Sequence, residues 1–298
     1  MVENNSPRIA VVLNAFKRTQ YLPLQVEAIE GQTIKPDKIY LWHNFGESLP
    51  DEIKHQCIIA ECSENLGVWA RFAYALNIDA DYICVFDDDT IPGNRWFENC
   101  LQTMETHEGL LGTRGLRFLS SKRYHPFESY GWGKGDSNEE TQQVDIVGHA
   151  WFFKREWLAA FWSELPPSNA SKIAGEDIHF SYALQKYLGI STYVPPHPIN
   201  DKSLWGSLPE YGEKLGTDNA AISSSQTALN RFDIALQYYV RNGFQLCLSF
   251  SDRLQKGVVL GSGIRTNTFV RSITNKSPFL KNSGKKLLTL LSKLGIHI

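Results

Sequence analysis

Several common sequence signals are absent from this chain of 298 residues. No apolar run approaches the length of a membrane-spanning helix, and the polar start, MVENNSPR, lacks the apolar region of a signal peptide. Lys plus Arg number 30 against 32 Asp plus Glu, so no excess of positive charge favours nucleic acid as a partner. The five cysteines form no CxxC motif or Cys/His cluster, which favours a reducing compartment. We therefore expect a soluble, cytoplasmic protein.

Apolar and helical segments alternate along the chain. Short, β-branched runs at residues 8–13, 38–42, 57–60 and 81–86 predict strands, and the spacing at 21–30 and 65–78 predicts helices. This alternation predicts an α/β fold, a Rossmann-like and mostly parallel sheet flanked by helices. Further on, we expect a strand at 144–154, helices at 96–105, 156–162, 178–188 and 226–241, and long loops at 120–143 and 195–225.

Three consecutive carboxylates, Asp87, Asp88 and Asp89, directly follow the buried strand DYICVF. Ligands of open α/β sheets bind at the carboxyl ends of strands. Adjacent carboxylates repel one another, so they need a compensating cation, basic side chains or solvent. Hard oxygen ligands suit Mg²⁺ or Mn²⁺. The run predicts a metal site, and the alternative is an exposed acidic turn.

The sequence FDDDT after this strand resembles the DxD motif of glycosyltransferases with the GT-A fold. Other segments resemble the family in the same order: RIAVVLNAFKR, KIYLWHN, ENLGVWARF, VDIVGHAWFF and AGEDIHFSY. The resemblance spans roughly residues 8–190 and is nearest to the exostosin-like (family 64) transferases, with the bacterial family 2 transferases a near second. It implies a GT-A fold and metal-dependent transfer from a nucleotide sugar, with a UDP-sugar as the expected donor.

The resemblance also implies roles for the acidic run. Asp89 is expected to bind Mn²⁺ or Mg²⁺ directly. Asp87 and Asp88 are expected to hold ribose, donor sugar or metal-bound water, with Asp87 a further metal ligand. The other expected donor-binding residues come from the resembling segments: Asn14, Arg18, Asn44, Asn65 and Arg71.

Two of these residues have a specific expected contact. Asn44 lies at a strand end, where its amide could pair with the base edge, and Arg71 could bind the diphosphate through both guanidinium nitrogens. Lys17 and Arg18 follow the first strand and could reach the same phosphates. A solvated helix position is the alternative for Arg71.

A second acidic pair, Glu176 and Asp177, precedes a predicted helix. Acids at a helix start are common because they complement its dipole. By the resemblance, the pair is catalytic. In inverting members of the family the matching Asp takes the proton from the acceptor hydroxyl, whereas in retaining exostosin-like members it lies by the anomeric carbon. Both stereochemical outcomes stay open, and Glu176 is expected to position substrate or cap the helix.

Two histidines and three tryptophans complete the candidates. Many GT-A enzymes recruit a C-terminal His as an additional metal ligand, and His197, between prolines, is the candidate here; polar surface is the alternative. His149 is expected to face the acceptor sugar. Three tryptophans are candidates for stacking on sugar rings or for the core: Trp132, Trp151 and Trp205.

We expect a GT-A domain at 1–250, with a nucleotide-binding half at 8–110 and an acceptor half at 111–250, and an extension at 251–298. The end of the extension is basic and amphipathic. Its lysines are Lys276, Lys281, Lys285, Lys286 and Lys293, and its apolar face is Leu287, Leu291, Leu294 and Ile298. This pattern suits peripheral contact with the inner face of the cell membrane or a partner helix, and equally an ordinary docked helix.

The expected function is transfer of a sugar to a glycan or lipid-linked acceptor in bacterial surface polysaccharide synthesis. One alternative is a nucleotidyltransferase of sugar phosphates, although NAFKRTQYL lacks the Gly-rich loop that such enzymes place after the first strand. Another is a non-catalytic sugar-binding protein on the same fold. The presence of both acidic motifs argues against the second alternative.

Overall fold

Strands and helices alternate along the first half of the chain, as predicted. A computed structural model describes residues 6–167, 172–215, 226–249 and 251–253. The strands are β1 (Ile9–Ala15), β2 (Lys38–His43), β3 (Ile58–Glu61), β4 (Tyr82–Phe86), β5 (Gly109–Phe118), β6 (Phe127–Tyr130), β7 (Gln142–Val144), β8 (Ile146–Lys154) and β9 (Ser191–Val194). The helices are α1 (Leu22–Glu30), α2 (Ile53–Gln56), α3 (Ala70–Ala75), α4 (Trp96–Thr106), α5 (Leu158–Phe161), α6 (Glu176–Leu188), α7 (Pro209–Leu215) and α8 (Gln226–Arg241).

In the described ranges, nine strands form one sheet in the order β3-β2-β1-β4-β8-β5-β9-β7, and β6 pairs with β5. Strands β1 to β4 are mutually parallel, β5 is parallel to β9, and β8 runs antiparallel between β4 and β5. The predicted α/β class with a mostly parallel, helix-flanked sheet is confirmed.

The sheet has a switch point between β1 and β4. From β1 the chain goes to β2 on one side and later returns to β4 on the other side. Crevices at the carboxyl ends of strands that flank such a point are where open α/β sheets bind ligands. Asn14 is the next-to-last residue of β1, Asn44 follows β2, and the acidic run follows β4, so the topology brings these predicted residues to one edge.

Two apolar clusters hold the elements together. The larger one fills both sides of the central strands and includes Val11, Val85 and Phe153, none of which is exposed. The smaller one packs α6 and α8 against β5 and β8 through Leu116, Ile146, Ile178, Tyr182 and Leu236. Removing this apolar surface from water stabilises the position of α6, whose first turn carries the second acidic pair.

The ten-residue strand β5 was not predicted. Its sequence, GLLGTRGLRF, has a glycine at every third position, and glycines weaken a strand signal. Packing requires them: a Cβ at Gly112 would lie 2.5 Å from Val147 Cβ, and one at Gly115 would lie 2.2 Å from Val194 Cγ2. The glycines therefore allow close approach to β8 and β9, a contact that only the folded chain reveals.

Three other segments differ from prediction. The expected loop at 120–143 contains β6 and the start of β7, and the expected irregular stretch at 195–225 contains α7. The predicted helix at 65–78 is shorter, because Asn65 Oδ1 accepts the Gly67 N–H at 2.8 Å and closes a turn before α3. Local side-chain hydrogen bonds of this kind compete with a helix start.

The helices in the described ranges include none long and apolar enough to cross a membrane. The basic, leucine-containing tail at 276–298 lies outside the described residues, as does most of the predicted extension from 251.

Candidate active site

The acidic run at 87–89 is fixed between α1 and β8. The Gln25 side-chain amide in α1 donates to the carbonyl oxygens of Asp87 and Thr90, both at 2.8 Å. The Asp87 N–H donates to the His149 carbonyl oxygen at 2.8 Å. The Asp89 side chain is 8% exposed. The run is therefore a held, largely buried turn, which excludes the alternative of an exposed acidic turn.

His149 lies beside the carboxylates of this acidic run. Its ring Nδ1 lies 3.2 Å from Asp89 Oδ1 and 3.7 Å from Asp87 Oδ2. In the pairing of β5 with β8, Gly112 lies opposite Trp151 and Arg114 lies opposite Gly148. One residue of β5 therefore faces two residues of β8, which form a β-bulge. His149 is one of these two and has a φ of 65°. Bulges redirect side chains beside active sites, and a non-glycine residue with positive φ is uncommon. The bulge directs the imidazole toward the carboxylates and not, as predicted, toward an acceptor sugar.

The residues present fit a divalent cation. One ligand atom from each of Asp87, Asp89 and His149 lies within 4.8 Å of the others. Ligands of an octahedral ion at about 2.1 Å are about 3 to 4 Å apart, so small movements bring all three to one ion. Two carboxylates and an imidazole are donors that divalent metals accept. The Trp132 ring stacks on the imidazole at 4.0 Å between centroids and limits its rotation.

Arg18 neutralises part of the acidic run. Its guanidinium Nη1 lies 2.8 Å from Asp88 Oδ1 and 3.6 Å from Asp89 Oδ2. Burial and the neighbouring Asp89 charge raise the pKa of Asp88 to about 6, although Arg18 opposes the shift. Burial also disfavours ionised Asp89, but His149 and Arg18 outweigh it and hold its pKa below the ordinary value. The predicted donor residue Arg18 thus contacts the acids directly.

Arg71 links the two acidic motifs, which corrects the expectation that it is available to a diphosphate. Its side chain is 2% exposed, donates to Asp87, and lies 2.9 Å from Glu176 Oε1. The guanidinium carbon also lies 4.5 Å from the centroid of the Trp151 ring. With both carboxylates engaged, the guanidinium fixes the acidic run and the pair at 176–177 relative to each other.

The predicted donor asparagines divide into two kinds. Asn44 is buried, its amide donates to Asn65 Oδ1 at 3.0 Å, and its carbonyl accepts the Leu66 N–H at 2.9 Å. This corrects the expected pairing of Asn44 with a base, because its amide shapes the 65–67 turn. Asn14 lines the cavity, and its Oδ1 is buried without a hydrogen-bond partner. Buried polar atoms are nearly always bonded, so Asn14 Oδ1 is a ready acceptor for a ligand.

Glu176 and Asp177 form the first turn of α6, after Gly175 with φ of 102°. Burial and the adjacent Asp177 charge raise the pKa of Glu176 to about 8, against the opposing effect of Arg71. Burial raises the pKa of Asp177 to about 6. Asp177 is half-buried and lines the cavity, whereas Glu176 is bound to Arg71. The geometry gives Asp177 access to a substrate and Glu176 a positioning role.

His197 is not brought to this site, which corrects its prediction as a metal ligand. It is fully buried, and Nδ1 lies 2.8 Å from the Pro195 carbonyl, so Nδ1 carries the proton. Nε2 then accepts from the Thr113 hydroxyl at 3.0 Å and the Gly206 N–H at 3.2 Å. No ring lone pair remains for a metal. Trp151 and Trp205 are likewise buried core residues.

One cavity of about 680 Å³ joins these groups. Residues of the acidic run, His149 and Asp177 line it. Among the lining residues that the sequence analysis did not select are Arg114, Tyr124 and Phe232. Their positions depend on β5 and on the packing of α8. No local pattern identifies them, since Arg114 stands in the unpredicted strand β5, Tyr124 in the loop before β6 and Phe232 in the amphipathic helix α8.

The fold and this site define a glycosyltransferase of the GT-A class. The family model for glycosyl transferase family 2 matches residues 11–162, about half of the chain, and includes the acidic run and His149. The chain belongs to glycosyl transferase family 2. This confirms the predicted GT-A resemblance and the coarser prediction of a glycosyltransferase.

Among solved structures, the chain is similar to the crystal structure of S. aureus TarS, with 12% sequence identity and a TM-score of 0.45. The alignment covers 63% of this chain and 36% of the other, so this chain spans little more than a third of that protein. No curated protein matches the sequence.

Proposed function

We propose that this protein transfers a sugar from a UDP-sugar to a hydroxyl group of a glycan or lipid-linked acceptor, with Mn²⁺ or Mg²⁺ as cofactor. One observation carries the proposal: the Asp87, Asp89 and His149 cluster and the raised-pKa carboxylate of Asp177 line the same cavity. Its volume of about 680 Å³ is in the range of small-ligand sites. UDP is the expected nucleotide because the exostosin-like transferases, which the sequence also resembles, use it.

On the donor side, Asp87, Asp89 and His149 would hold the cation. A divalent cation supplies a Lewis acid that neutralises the charge developing on a leaving diphosphate. Mg²⁺ prefers oxygen ligands, so the imidazole in the set favours Mn²⁺. Arg18 keeps Asp88 and Asp89 in place, and Asn14 Oδ1 accepts a hydrogen bond from the donor nucleotide.

On the acceptor side, Asp177 takes the proton of the attacking hydroxyl. The acceptor oxygen forms a bond to the anomeric carbon as the bond from that carbon to the diphosphate breaks, and UDP leaves. A single displacement of this kind inverts the anomeric configuration. A carboxylate with a pKa of about 6 is ionised at neutral pH and still basic enough to accept the proton. Arg71, between Asp87 and Glu176, fixes Asp177 relative to the donor site.

The family match favours sugar transfer over the alternatives of a nucleotidyltransferase or a sugar-binding protein. We further propose a place in bacterial surface polysaccharide synthesis, with the tail at 276–298 in contact with the membrane surface.

The test is donor binding and donor turnover with the full chain. Calorimetry should detect UDP binding that requires Mn²⁺ or Mg²⁺, and incubation with a panel of UDP-sugars should release UDP from one of them. Asp89→Asn should weaken metal-dependent UDP binding at least tenfold, because one charged ligand is lost. The control is Asp37→Asn, which changes an exposed carboxylate outside the cavity. Metal-independent UDP binding, or full turnover by Asp89→Asn, would contradict the proposal.

A further inference from the structure

Arg114 on β5 lines the cavity and differs from the other two arginines there. Arg18 and Arg71 each contact two carboxylates. Within the described part of the chain, by contrast, no carboxylate lies within ion-pairing distance of Arg114. The Nε of Arg114 is buried without a hydrogen-bond partner, as is that of Arg71, but Arg71 has carboxylates at its other two guanidinium nitrogens. A half-buried cation without a counter-charge is costly, so this position calls for an anion from outside the chain.

Aromatic rings hold the Arg114 guanidinium in place. Its central carbon lies 5.6 Å from the Trp132 ring centroid and 6.0 Å from that of Phe127. Arginine packs on aromatic rings through its planar face, which leaves its N–H groups available in the plane. The cross-strand partner Gly148 leaves open space beside it, since a Cβ there would meet no atom within 4 Å. The arginine is therefore oriented beside room for a ligand.

Arg114 lies two strands away from the acidic run, on the β5 side of the cavity. Strand β8 separates β5 from β4, so the two strands are about 10 Å apart in the sheet. Tyr124 lines the same side: burial and the Asp177 charge raise its pKa, while Arg114 opposes the shift. Both Asp177 and Arg114 are thus within electrostatic reach of the Tyr124 hydroxyl. Asp177, Tyr124 and Arg114 thus line one cavity.

We propose that Arg114 binds an anionic oxygen group, a phosphate or a carboxylate, carried by the acceptor substrate. The inference rests on the proposed function and adds the acceptor class: a charged glycan or sugar phosphate. The planar guanidinium donates two parallel hydrogen bonds to such a group. The aromatic rings around it, with Phe232 nearby, provide faces for the attached sugar ring.

The experiment uses the full chain with Mn²⁺ and UDP present, and glucose 6-phosphate, glucuronate and glucose as probes. By ligand-observed NMR titration, we expect one or both anionic probes to bind at least tenfold more tightly than glucose, and their relative affinity separates phosphate from carboxylate. Arg114→Gln should abolish this preference, and Arg114→Lys should restore part of it, because lysine keeps the charge but not the paired donors. Arg123→Gln is the control, an exposed arginine outside the cavity.

Donor binding separates this inference from the proposed function. Arg114→Gln should leave the affinity for UDP and Mn²⁺ unchanged and the melting temperature close to that of the unmodified chain. Weakened UDP binding with an unchanged preference for anionic probes would place Arg114 at the donor diphosphate and overturn the inference. Equal binding of the three probes by the unmodified chain would also overturn it. Neither result would affect the metal-dependent donor test.

Discussion

At the scale of single residues, charge pairing divides the site into a fixed part and a reactive part. Arg71 is paired with Asp87 and Glu176, so Arg71 and Glu176 both maintain the geometry of the site. Asp177, next to Glu176 in the chain, accepts the N–H of Ile178 at 2.7 Å and otherwise faces the cavity. Only one of these adjacent carboxylates is paired with an arginine, and the proposed function gives them different roles on that ground.

This difference predicts the effect of Asp177→Asn. A general base contributes about 10² to 10⁴ in rate, so turnover should fall by that factor while UDP affinity stays unchanged. Because the base must be ionised and its pKa is about 6, turnover of the unmodified protein should decline as the pH falls below about 6. The measurement is turnover at saturating donor across pH 5 to 8, beside calorimetry of UDP.

The control for this measurement is Asp37→Asn, which should keep both the rate and the decline in acid. If Asp177→Asn lost donor binding while its turnover at saturating donor stayed high, Asp177 would be a binding residue. Retention of the same acidic decline by Asp177→Asn would assign that titration to another group.

At the scale of elements, β5 connects the stability of the fold to the site. Its Thr113 hydroxyl donates to His197, and its neighbour Arg114 lines the cavity. His197 packs between the Trp96 and Trp205 rings, at 5.6 and 5.3 Å between centroids. This histidine fixes the 195–206 segment to the sheet and is not available as a metal ligand.

His197→Ala should therefore destabilise the protein without changing metal binding. The substitution leaves the buried Gly206 N–H unpaired, removes the shorter of the two hydrogen bonds of the Thr113 hydroxyl and opens a cavity. We expect a cost of about 3 kcal/mol or more in the free energy of unfolding. Denaturant unfolding measures this loss, and Mn²⁺ titration of the folded fraction should match that of the unmodified chain. A large loss of Mn²⁺ affinity with normal stability would restore the metal-ligand assignment.

The pH dependence of stability provides a second measurement on His197. Burial lowers its pKa to about 4, below the ordinary 6.5. As the pH falls, the unfolded chain takes up this proton before the folded chain does. This group therefore makes the free energy of unfolding decrease between about pH 6.5 and 4, by about 1.4 kcal/mol per pH unit. His197→Ala should lack this contribution.

At the scale of the whole molecule, the tail at 276–298 combines lysines with leucines at helical spacing. If it contacts anionic membrane, the full chain should sediment with vesicles that contain phosphatidylserine, and less so at high salt. Deleting 276–298 should abolish sedimentation and preserve UDP binding. The control carries Lys285→Arg and Lys286→Arg, which keep the charge and should keep vesicle binding. Absence of vesicle binding by the full chain, or a lower free energy of unfolding after deletion, would instead favour an ordinary docked helix.

Sequence alone determined the features that depend on local pattern. Short apolar runs with turns between them predicted β1, β2 and β4. Three carboxylates after a buried strand predicted the acidic site. Both predictions were possible because the end of a strand and the repulsion between adjacent charges depend only on neighbouring residues. The spacing of apolar residues predicted α8 at 226–241 with its observed bounds.

Only tertiary structure decided which of the candidate side chains reach the site. The β8 bulge brings His149 to Asp89. His197 Nδ1 donates to the Pro195 carbonyl two residues away, but its Nε2 accepts from the Thr113 hydroxyl 84 residues away. Arg71 likewise forms ion pairs with carboxylates 16 and 105 residues away. Hydrogen-bond partners and strand bulges depend on contacts between distant segments, which no local pattern of residues contains.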